Sequence, residues 1–482
     1  MALYMVICLT LGVLAWQRTR NFSDFILGGR SLGSWVTALS VQATDMSGWL
    51  LMGLPGLAYV SGSDSIWLLI GLVAGTWLNW RWVAIPLRDR TERLNNSLTL
   101  PDYLEHRFVD RSHLLRSLSA LFILIFFIFY TSSGFVAAGR LFESLFELPY
   151  LQAMLWGTLV MLLYTFLGGF LAVSWSDVLQ GSLMFFALII VAFMGVSLAG
   201  GIENTWYRLE ALDATLLNPF ISDEGQALGW IGITSLLAWG LGYPGQPHIL
   251  VRFMAAKSTA HIIVARRIAM AWVVIVLTAA VVVGLTGRLV LQQPLVGTET
   301  ETVFIVMSKV FLHPAIAGLC LAGIMAAIMS TASAQLLVAS SAFAGDFYRG
   351  LVRPHATQVE LLWVGRLAVL GIAGLAFLIA LDPHSKVLDL VAWAWAGFGA
   401  AFGPTIMFSL YWLRMTRNGA LAGIIVGGVT VILWKQMVSL GGIFNLYELV
   451  PGFFLSSLSI ILVSFKGSKS INLTNILDSR SR

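Results

Sequence analysis

Long apolar runs separated by short polar segments dominate this chain from one end to the other. Many of the runs reach the length of about 20 residues that a helix needs to cross the hydrocarbon core of a bilayer. The pattern predicts thirteen helices, at residues 1–16, 34–57, 65–87, 116–140, 150–170, 176–200, 228–250, 262–287, 314–345, 362–381, 387–413, 419–436 and 449–466. We therefore expect an all-α polytopic membrane protein with a single transmembrane domain over residues 1–482.

The composition agrees with a membrane protein. Of the 482 residues, 58% are hydrophobic and 11% are charged, whereas soluble domains carry about 25% charged residues. The first helix continues into polar residues without a small-residue cleavage pattern, so we expect it to be retained rather than removed as a signal peptide. Cys8 and Cys320 both lie in apolar runs. They are predicted to be buried hydrophobic residues rather than a disulfide pair.

The distribution of basic residues predicts the orientation. In the predicted topology, 22 of the 29 Lys and Arg residues fall on one side and 6 on the other, with Arg81 at a helix end. The basic side of a membrane protein is normally cytoplasmic. The N-terminus is therefore predicted outside, and the C-terminal tail at 467–482 in the cytoplasm. The net charge of +5 therefore does not indicate a nucleic acid partner, because the basic residues are distributed as in a membrane protein.

Asp45 is the one formal charge in the second apolar run, within the sequence ATDMSG at 43–48. A carboxylate at the centre of a membrane helix costs about 2.5–3.5 kcal/mol on insertion scales, and such residues usually line a site or pathway. The alternative is a structural carboxylate paired with a neighbouring Arg or Trp N–H. Ser47 and Gly48 could interrupt the helix, or they could form a small-residue packing notch.

A second interruption is predicted in helix 7, in the sequence WGLGYPGQP from Trp239 to Pro247. Unwound backbone at membrane depth is stable only where it is buried or lines a cavity. Paired interruptions in two halves of a chain indicate a transporter site. Helix 7 lies five helices after helix 2, so the chain divides into two units of five helices, helices 2–6 (34–200) and 7–11 (228–413). Because five is odd, the second unit starts on the opposite face of the membrane. The two units are therefore predicted to form a 5+5 inverted repeat. Two peripheral helices (414–466) follow.

Polar and aromatic residues near these interruptions are the further candidates. Ser330 and Thr331 lie deep in helix 9. From these residues alone, the favoured interpretation is that both hydroxyls donate hydrogen bonds to backbone carbonyls one turn earlier. The alternative interpretation is that they supply oxygen ligands to a small hard cation. Most aromatic residues in such a chain only pack. Those close to the interruptions are Trp49, Tyr130, Trp239 and Tyr243.

The sequence carries no arrangement of catalytic residues. Its seven histidines are scattered, and it has no G-x-S-x-G motif, cysteine-based metal pattern or phosphate loop. We therefore predict that the protein is not an enzyme. A substrate sensor is disfavoured because no soluble signalling module is present. A channel stays open, as does a transporter for another small carboxylate; ion flow without substrate would identify a channel.

Several stretches resemble the sodium/solute symporter family, and within it the members that carry proline. They occur in the family's order along nearly the whole chain: NFSDFILGGRSLG (21–33), ATDMSGWLLMGLPG (43–56), WGLGYPGQPHILVRFMAA (239–256), AAIMSTASAQLLV (326–338) and AWAGFGAAFGP (394–404). The resemblance implies a LeuT-type fold of thirteen transmembrane helices. It also implies sodium-coupled uptake of L-proline by alternating access across the bacterial cytoplasmic membrane. Sodium would be the only co-transported ion, with no obligate protein partner.

The resemblance also implies roles for individual residues. It assigns sodium binding to Asp45, to the carbonyls of Ala43, Met46 and Ala327, and to the hydroxyls of Ser330 and Thr331, which reverses the reading favoured above for the two hydroxyls. It assigns proline binding to Ser47, Gly48, Trp49, Tyr130, Trp239, Tyr243 and Pro247. Arg30 matches a cytoplasmic arginine linked to coupling and gating in the family.

Overall fold

The computed structural model describes residues 2–16, 22–222 and 225–466, and these residues are helical almost throughout. In chain order the helices are α1 (Ala2–Trp16), α2 (Phe22–Leu27), α3 (Ser34–Asp45), α4 (Leu54–Ser61), α5 (Ser65–Leu78), α6 (Ala84–Arg93), α7 (Leu100–Phe108), α8 (Leu114–Phe146), α9 (Tyr150–Leu198), α10 (Ile202–Leu212), α11 (Gly229–Leu237), α12 (Pro247–Met254), α13 (Thr259–Val290), α14 (Val303–Phe311), α15 (Pro314–Ser341), α16 (Gln358–Ile379), α17 (Val387–Tyr411), α18 (Arg417–Met437) and α19 (Leu449–Lys466). Within these residues, nine helical segments are long and apolar enough to cross a membrane. The prediction of an all-helical polytopic membrane protein is confirmed.

Both predicted interruptions are confirmed in the backbone. Predicted helix 2 consists of α3 and α4, and the chain leaves helical geometry at Met46 (φ −86°, ψ 76°) before a π-helical turn at Trp49–Gly53. Predicted helix 7 consists of α11, a 3-10 segment at Ala238–Gly245 and α12. Gln246, between the last two, is extended (φ −83°, ψ 105°). Glycine and proline within these two apolar runs therefore correctly predicted where the helices are interrupted.

Predicted helices 5 and 6 are two helices of the structure that meet at a bend, without the gap expected at 171–175. Residues 171–175 are helical, and α9 runs for 49 residues with its bend at Gly169 (φ 62°, ψ −173°). Only glycine adopts this conformation without strain. The position is also crowded, since a Cβ on Gly169 would lie 2.9 Å from Cδ2 of Phe25 on α2. The bend therefore lies at a glycine against which α2 packs, one residue before the predicted end of helix 5.

Several segments predicted as loops contain short helices, namely α2, α7, α10 and α14. In α7, Thr99 caps the N-terminus: its hydroxyl accepts a hydrogen bond from the Asp102 N–H at 3.1 Å. Pro101 occupies the first turn. A capping threonine followed by proline is a helix-start signal. It is readable in the sequence, although the segment is too short and polar to span a membrane.

The interrupted helix 7 packs directly on α5 through glycine. A Cβ on Gly75 would lie 2.4 Å from the Gly240 Cα, and a Cβ on Gly240 would lie 2.3 Å from the Gly71 carbonyl oxygen. No side chain fits at these positions, so the two backbones meet, as small residues permit in membrane helix pairs. Cys8 and Cys320 are buried, and both are free thiols in the part of the chain that the structure describes, as predicted.

A short 3-10 segment, Gly297–Thr302, precedes α14 in the chain and packs between α4 and α17. The Glu301 carboxylate accepts hydrogen bonds from the backbone N–H groups of Val387 (2.9 Å) and Leu388 (3.1 Å), at the start of α17. Burial raises the pKa of the Glu301 carboxyl. On its other side, the backbone of this segment lies against Gly56 of α4. An acidic group at a helix N-terminus stabilises that helix, so Glu301 anchors the segment to α17.

Candidate functional site

The interruption after α3 leaves the Ala43 carbonyl free to bond outside its own helix. In an unbroken α-helix the Ser47 N–H would donate to that carbonyl, but here it donates to the Asp45 carbonyl oxygen at 3.1 Å. The Ala43 carbonyl oxygen instead accepts hydrogen bonds from α15, from the hydroxyls of Ser330 (2.6 Å) and Thr331 (3.3 Å). The interrupted helix is thus joined to α15 by carbonyl and hydroxyl oxygens.

A second carbonyl completes this oxygen group. The Ser330 hydroxyl also lies 2.9 Å from the Ala327 carbonyl oxygen, one turn earlier in α15. Four of the six predicted sodium residues, Ala43, Ala327, Ser330 and Thr331, therefore contact one another. Carbonyl and hydroxyl oxygens are the ligands that small hard cations prefer. Met46 is buried where the chain leaves the helix, but it takes part in none of the described hydrogen bonds between α3 and α15.

Asp45 is fully buried at the end of α3. Neither of its carboxylate oxygens has a hydrogen-bond partner among the residues described. Trp49 donates its indole N–H to the Asp45 carbonyl oxygen at 3.1 Å, not to the carboxylate. The structural alternative, a carboxylate paired with Arg or a Trp N–H, is therefore not observed in this part of the chain. A buried unpaired carboxylate is costly, so this one is suited to bind a cation.

Aromatic side chains from three elements gather around Asp45 and Ser47. The rings of Trp49 and Trp239 have centroids 6.4 Å apart, and the Tyr243 hydroxyl lies near the Asp45 carboxylate. The Tyr130 hydroxyl, on α8, lies near Ser47 and Trp49. All four aromatic side chains are buried. Together with Ser47, they form a buried group of side chains that we call the aromatic group.

Gly48 has a packing role in addition to its place in the interruption. A Cβ on Gly48 would lie 2.9 Å from the Ala137 Cβ on α8 and 3.3 Å from a side-chain carbon of Ile328 on α15. The packing-notch interpretation of this glycine is therefore correct. The interruption and the notch therefore coincide at the same position.

Two of the predicted site residues are placed differently. Pro247 begins α12 and lines a cavity of about 20 Å³ with Ile26, Ile123 and Val338, none of which belongs to the aromatic group. Arg30 donates to the carbonyl oxygens of Met254 (2.5 Å) and Ser97 (2.9 Å) and to the Asn96 side chain (2.7 Å). Burial lowers the pKa of Arg30 to about 10. Arg30 thus ties the end of α12 to the segment before α7, and its hydrogen bonds do not reach the oxygen group.

Trp395 on α17 is a site residue that the sequence analysis missed. Its indole N–H donates to the Trp239 carbonyl oxygen at 2.8 Å, and its ring lies 5.0 Å from that of Tyr243. A Cβ on Gly242 would lie 2.0 Å from the Trp395 Nε1. The indole therefore occupies the space next to the interrupted backbone. Nothing in the local sequence separates this residue from the other seventeen tryptophans.

A buried ion pair links the two interrupted helices and was also missed. Asp177 of α9 accepts a hydrogen bond from the Ser40 hydroxyl of α3 at 2.6 Å and pairs with Arg252 of α12 at 3.5 Å. The Arg252 Nε donates to the same Ser40 oxygen at 2.9 Å. All three side chains are buried. The segments α3 and α12 are thereby fastened to α9 and to each other.

Taken together, the helical fold and the paired interruptions define an all-helical polytopic membrane transporter. The chain belongs to the sodium:solute symporter family, whose model matches residues 25–427. It is 51% identical over 462 residues, 95% of this chain and 90% of the relative, to the sodium/proline symporter of Escherichia coli (strain K12). It is 47% identical to the high-affinity proline transporter PutP of Bacillus subtilis (strain 168), covering 95% of each. Family membership confirms the prediction of a transporter rather than an enzyme.

A solved structure supports the fold. It is the substrate-bound outward-open state of a Na⁺-coupled sialic acid symporter, which superimposes with a TM-score of 0.80 over 98% of both chains at 21% identity. At that level of identity the likeness concerns the fold alone.

Proposed function

We propose that this chain is a multi-pass protein of the bacterial cytoplasmic (inner) membrane that carries sodium and L-proline together into the cell. Its family and the names of its curated relatives support this proposal. The observation that supports it is structural: Ala43 and Trp49 flank the first interruption, where Ala43 bonds to α15 and the Trp49 ring lies 6.4 Å from that of Trp239 in the second interruption. The oxygen group suits a small cation and the aromatic group an apolar ring.

In this proposal sodium binds to the oxygen group. The carbonyl oxygens of Ala43, Met46 and Ala327 and the hydroxyls of Ser330 and Thr331 are its neutral ligands. Asp45 supplies the negative charge. The distances of 2.6–3.3 Å that already join Ala43 to α15 support a compact set of ligands. Bound there, sodium would hold α3 against α15.

Proline binds next to it, in the aromatic group. Its carboxylate is attracted to the backbone N–H groups that follow Ser47, at the start of a helical segment. Its ring lies against Trp49, Tyr130, Trp239 and Tyr243, with Gly48 leaving room for the backbone. We include Pro247 as the residue where α12 begins, and Arg30 as a coupling residue that ties the end of α12 to its neighbours.

We further propose a LeuT-type fold of thirteen transmembrane helices, with inverted repeats at 34–200 and 228–413, peripheral helices at 414–466 and a cytoplasmic tail at 467–482. Two observations support this proposal: each predicted span falls on helices of the structure, and the chain shares its fold with the sialic acid symporter. The excess of basic residues on one side supports an external N-terminus and a cytoplasmic C-terminus.

Coupling follows if sodium stabilises the conformation that binds proline well, because a ligand shifts a conformational equilibrium by its differential affinity. One positive charge moving inward through 100 mV releases about 2.3 kcal/mol, in addition to any concentration gradient. That energy drives accumulation of proline as the site opens to alternate sides of the membrane.

The experiment that tests this function uses the purified protein in liposomes with radiolabelled L-proline. We expect uptake with an inward sodium gradient and none with an equal potassium gradient. Sodium current should require proline, which separates a transporter from a channel. Uptake that ignores the sodium gradient would refute sodium coupling. Stronger competition by another small carboxylate than by unlabelled proline would refute the substrate.

A further inference from the structure

His248 is a buried histidine next to the aromatic group, and the function proposed above gives it no role. It is the second residue of α12, directly after the second interruption. Its ring lies edge-on to the ring of Tyr130, with centroids 5.6 Å apart and planes at 88°. It makes a similar contact with Phe127, at 5.7 Å and 68°. The imidazole therefore contacts two aromatic rings of α8.

The polar atoms of this ring are unpaired within the described chain. Both ring nitrogens are buried, and neither has a hydrogen-bond partner there. Buried polar side-chain atoms in proteins are paired in the large majority of cases, and exceptions call for an explanation such as a ligand. The two interruptions carry more atoms without a partner among the described residues: the carboxylate of Asp45, the hydroxyl of Tyr243 and the amide oxygen of Gln246, and so does Tyr130 of α8 in its hydroxyl. A polar ligand bound among these residues would account for several of these atoms at once.

The chemistry of the imidazole favours the imino acid over the ion as its partner. A small hard cation prefers oxygen ligands, and those lie between α3 and α15. A neutral imidazole offers one N–H donor and one lone pair. An imino acid zwitterion offers a carboxylate that accepts hydrogen bonds and a secondary ammonium that donates them. The two ring nitrogens of His248 can therefore both be satisfied by the same molecule.

The contacts of His248 do not otherwise account for its ring nitrogens. Arg252 donates from Nη1 to the His248 carbonyl oxygen at 2.6 Å, which uses only the backbone. The edge contacts with Tyr130 and Phe127 are ring contacts that a phenylalanine could also make. What histidine adds at this position is its hydrogen-bonding capacity.

We propose that His248 contacts the substrate and that its ring N–H donates a hydrogen bond to the carboxylate of the bound imino acid. This inference rests on the proposed function, and it adds a specificity-determining residue to that site. It implies that substrates must carry a charged α-carboxylate. Hydrogen bonds to an ionised group are about twice as strong as those between neutral groups, so this contact discriminates strongly.

The test compares His248→Leu, His248→Gln and His248→Asn in liposomes, with Phe127→Leu as the matched control. Phe127→Leu alters the packing on the same imidazole without removing a polar atom. For each protein, uptake rates give the KM for L-proline and the sodium concentration for half-maximal rate. L-prolinamide, which has the ring but no carboxylate, is measured as a competitor. His248→Leu should raise the proline KM about tenfold or more. In this variant the affinities for proline and prolinamide should also become more similar than in the wild-type protein.

The other proteins separate a polar contact from a packing role. His248→Gln and His248→Asn place an amide near Nε2 and Nδ1, respectively. The amide variant whose NH₂ group takes the place of the donating ring nitrogen should keep the wild-type KM for proline and the preference for proline over prolinamide. This comparison remains informative if His248→Leu fails to insert into the membrane. Phe127→Leu should keep the preference. The sodium requirement should be unchanged in all variants.

Three results would overturn the assignment of His248. They are an unchanged KM in His248→Leu, an equal loss of affinity for proline and prolinamide, and an equal loss of preference in both amide variants. Each of these requires normal sodium-dependent proline uptake by the wild-type protein. Absence of that uptake would instead refute the proposed function, and the His248 contact with it.

Discussion

Replacing Ser330 by alanine is the most direct test of the oxygen group. The Ser330 hydroxyl lies 2.6 Å from the Ala43 carbonyl oxygen and 2.9 Å from that of Ala327. Ser330→Ala removes one proposed ligand oxygen and leaves the rest of the site. A hydrogen-bond-like contact with a charged group contributes about 1.5–3 kcal/mol, and about 1.4 kcal/mol corresponds to a factor of ten. Sodium affinity should therefore fall by about 10- to 150-fold.

The assay measures proline uptake as a function of sodium concentration, in liposomes that contain equal amounts of inserted protein. Ser333→Ala is the matched control. Ser333 is also buried on α15, but its hydroxyl donates only to the Ser330 carbonyl oxygen at 3.1 Å. We expect the half-maximal sodium concentration to rise in Ser330→Ala and to stay within about twofold of wild type in Ser333→Ala. Equal sodium curves for wild type and Ser330→Ala would refute the placement of sodium at this oxygen group.

Three further predictions concern the interrupted helices. Asp45→Asn should abolish sodium-stimulated uptake while the protein still inserts; normal sodium dependence would contradict the cation role of its buried carboxylate. Gly240→Ala places a Cβ 2.3 Å from an α5 carbonyl oxygen, so it should destabilise the fold by about 1–3 kcal/mol, measured as the unfolding temperature in detergent. Gly374→Ala, where a Cβ meets nothing within 4 Å, is its control, and equal temperatures would argue against the tight crossing. Trp395→Phe removes the N–H donor to the Trp239 carbonyl and should raise the proline KM about tenfold, whereas an unchanged KM would show that this bond does not hold the site.

The interruptions and Asp45 could be predicted from the sequence because their signals are local. A carboxylate, glycines and prolines stand out within apolar runs, and the bilayer leaves few explanations for them. The hydroxyl of Ser330 shows the limit of such reasoning. Its bond to the carbonyl of Ala327, one turn earlier, was the reading favoured by the residues alone, and it is present. The same hydroxyl also bonds the Ala43 carbonyl oxygen on another helix, a contact that the sequence alone does not predict.

The features that were missed depend on contacts between distant parts of the chain. Ser40 and Arg252 share a hydrogen bond across 212 positions of sequence, and the indole of Trp395 bonds a residue 156 positions away. No local pattern specifies which helices become neighbours. The boundary between predicted helices 5 and 6 was found because its signal is local. The bend lies at Gly169 (φ 62°), one residue before the predicted end of helix 5, and the chain is helical again through residues 171–175.

The crossing of α5 with the second interrupted helix has a mechanical consequence. At Gly71, Gly75 and Gly240 the two main chains touch with no side chains interposed. Side chains that interlock must change rotamer before their helices can slide, but bare backbone surfaces have none to change. The two helices can therefore move against each other at this crossing without a change of side-chain rotamer. If the segment at 238–245 turns during the transport cycle, it can do so about this point without repacking α5.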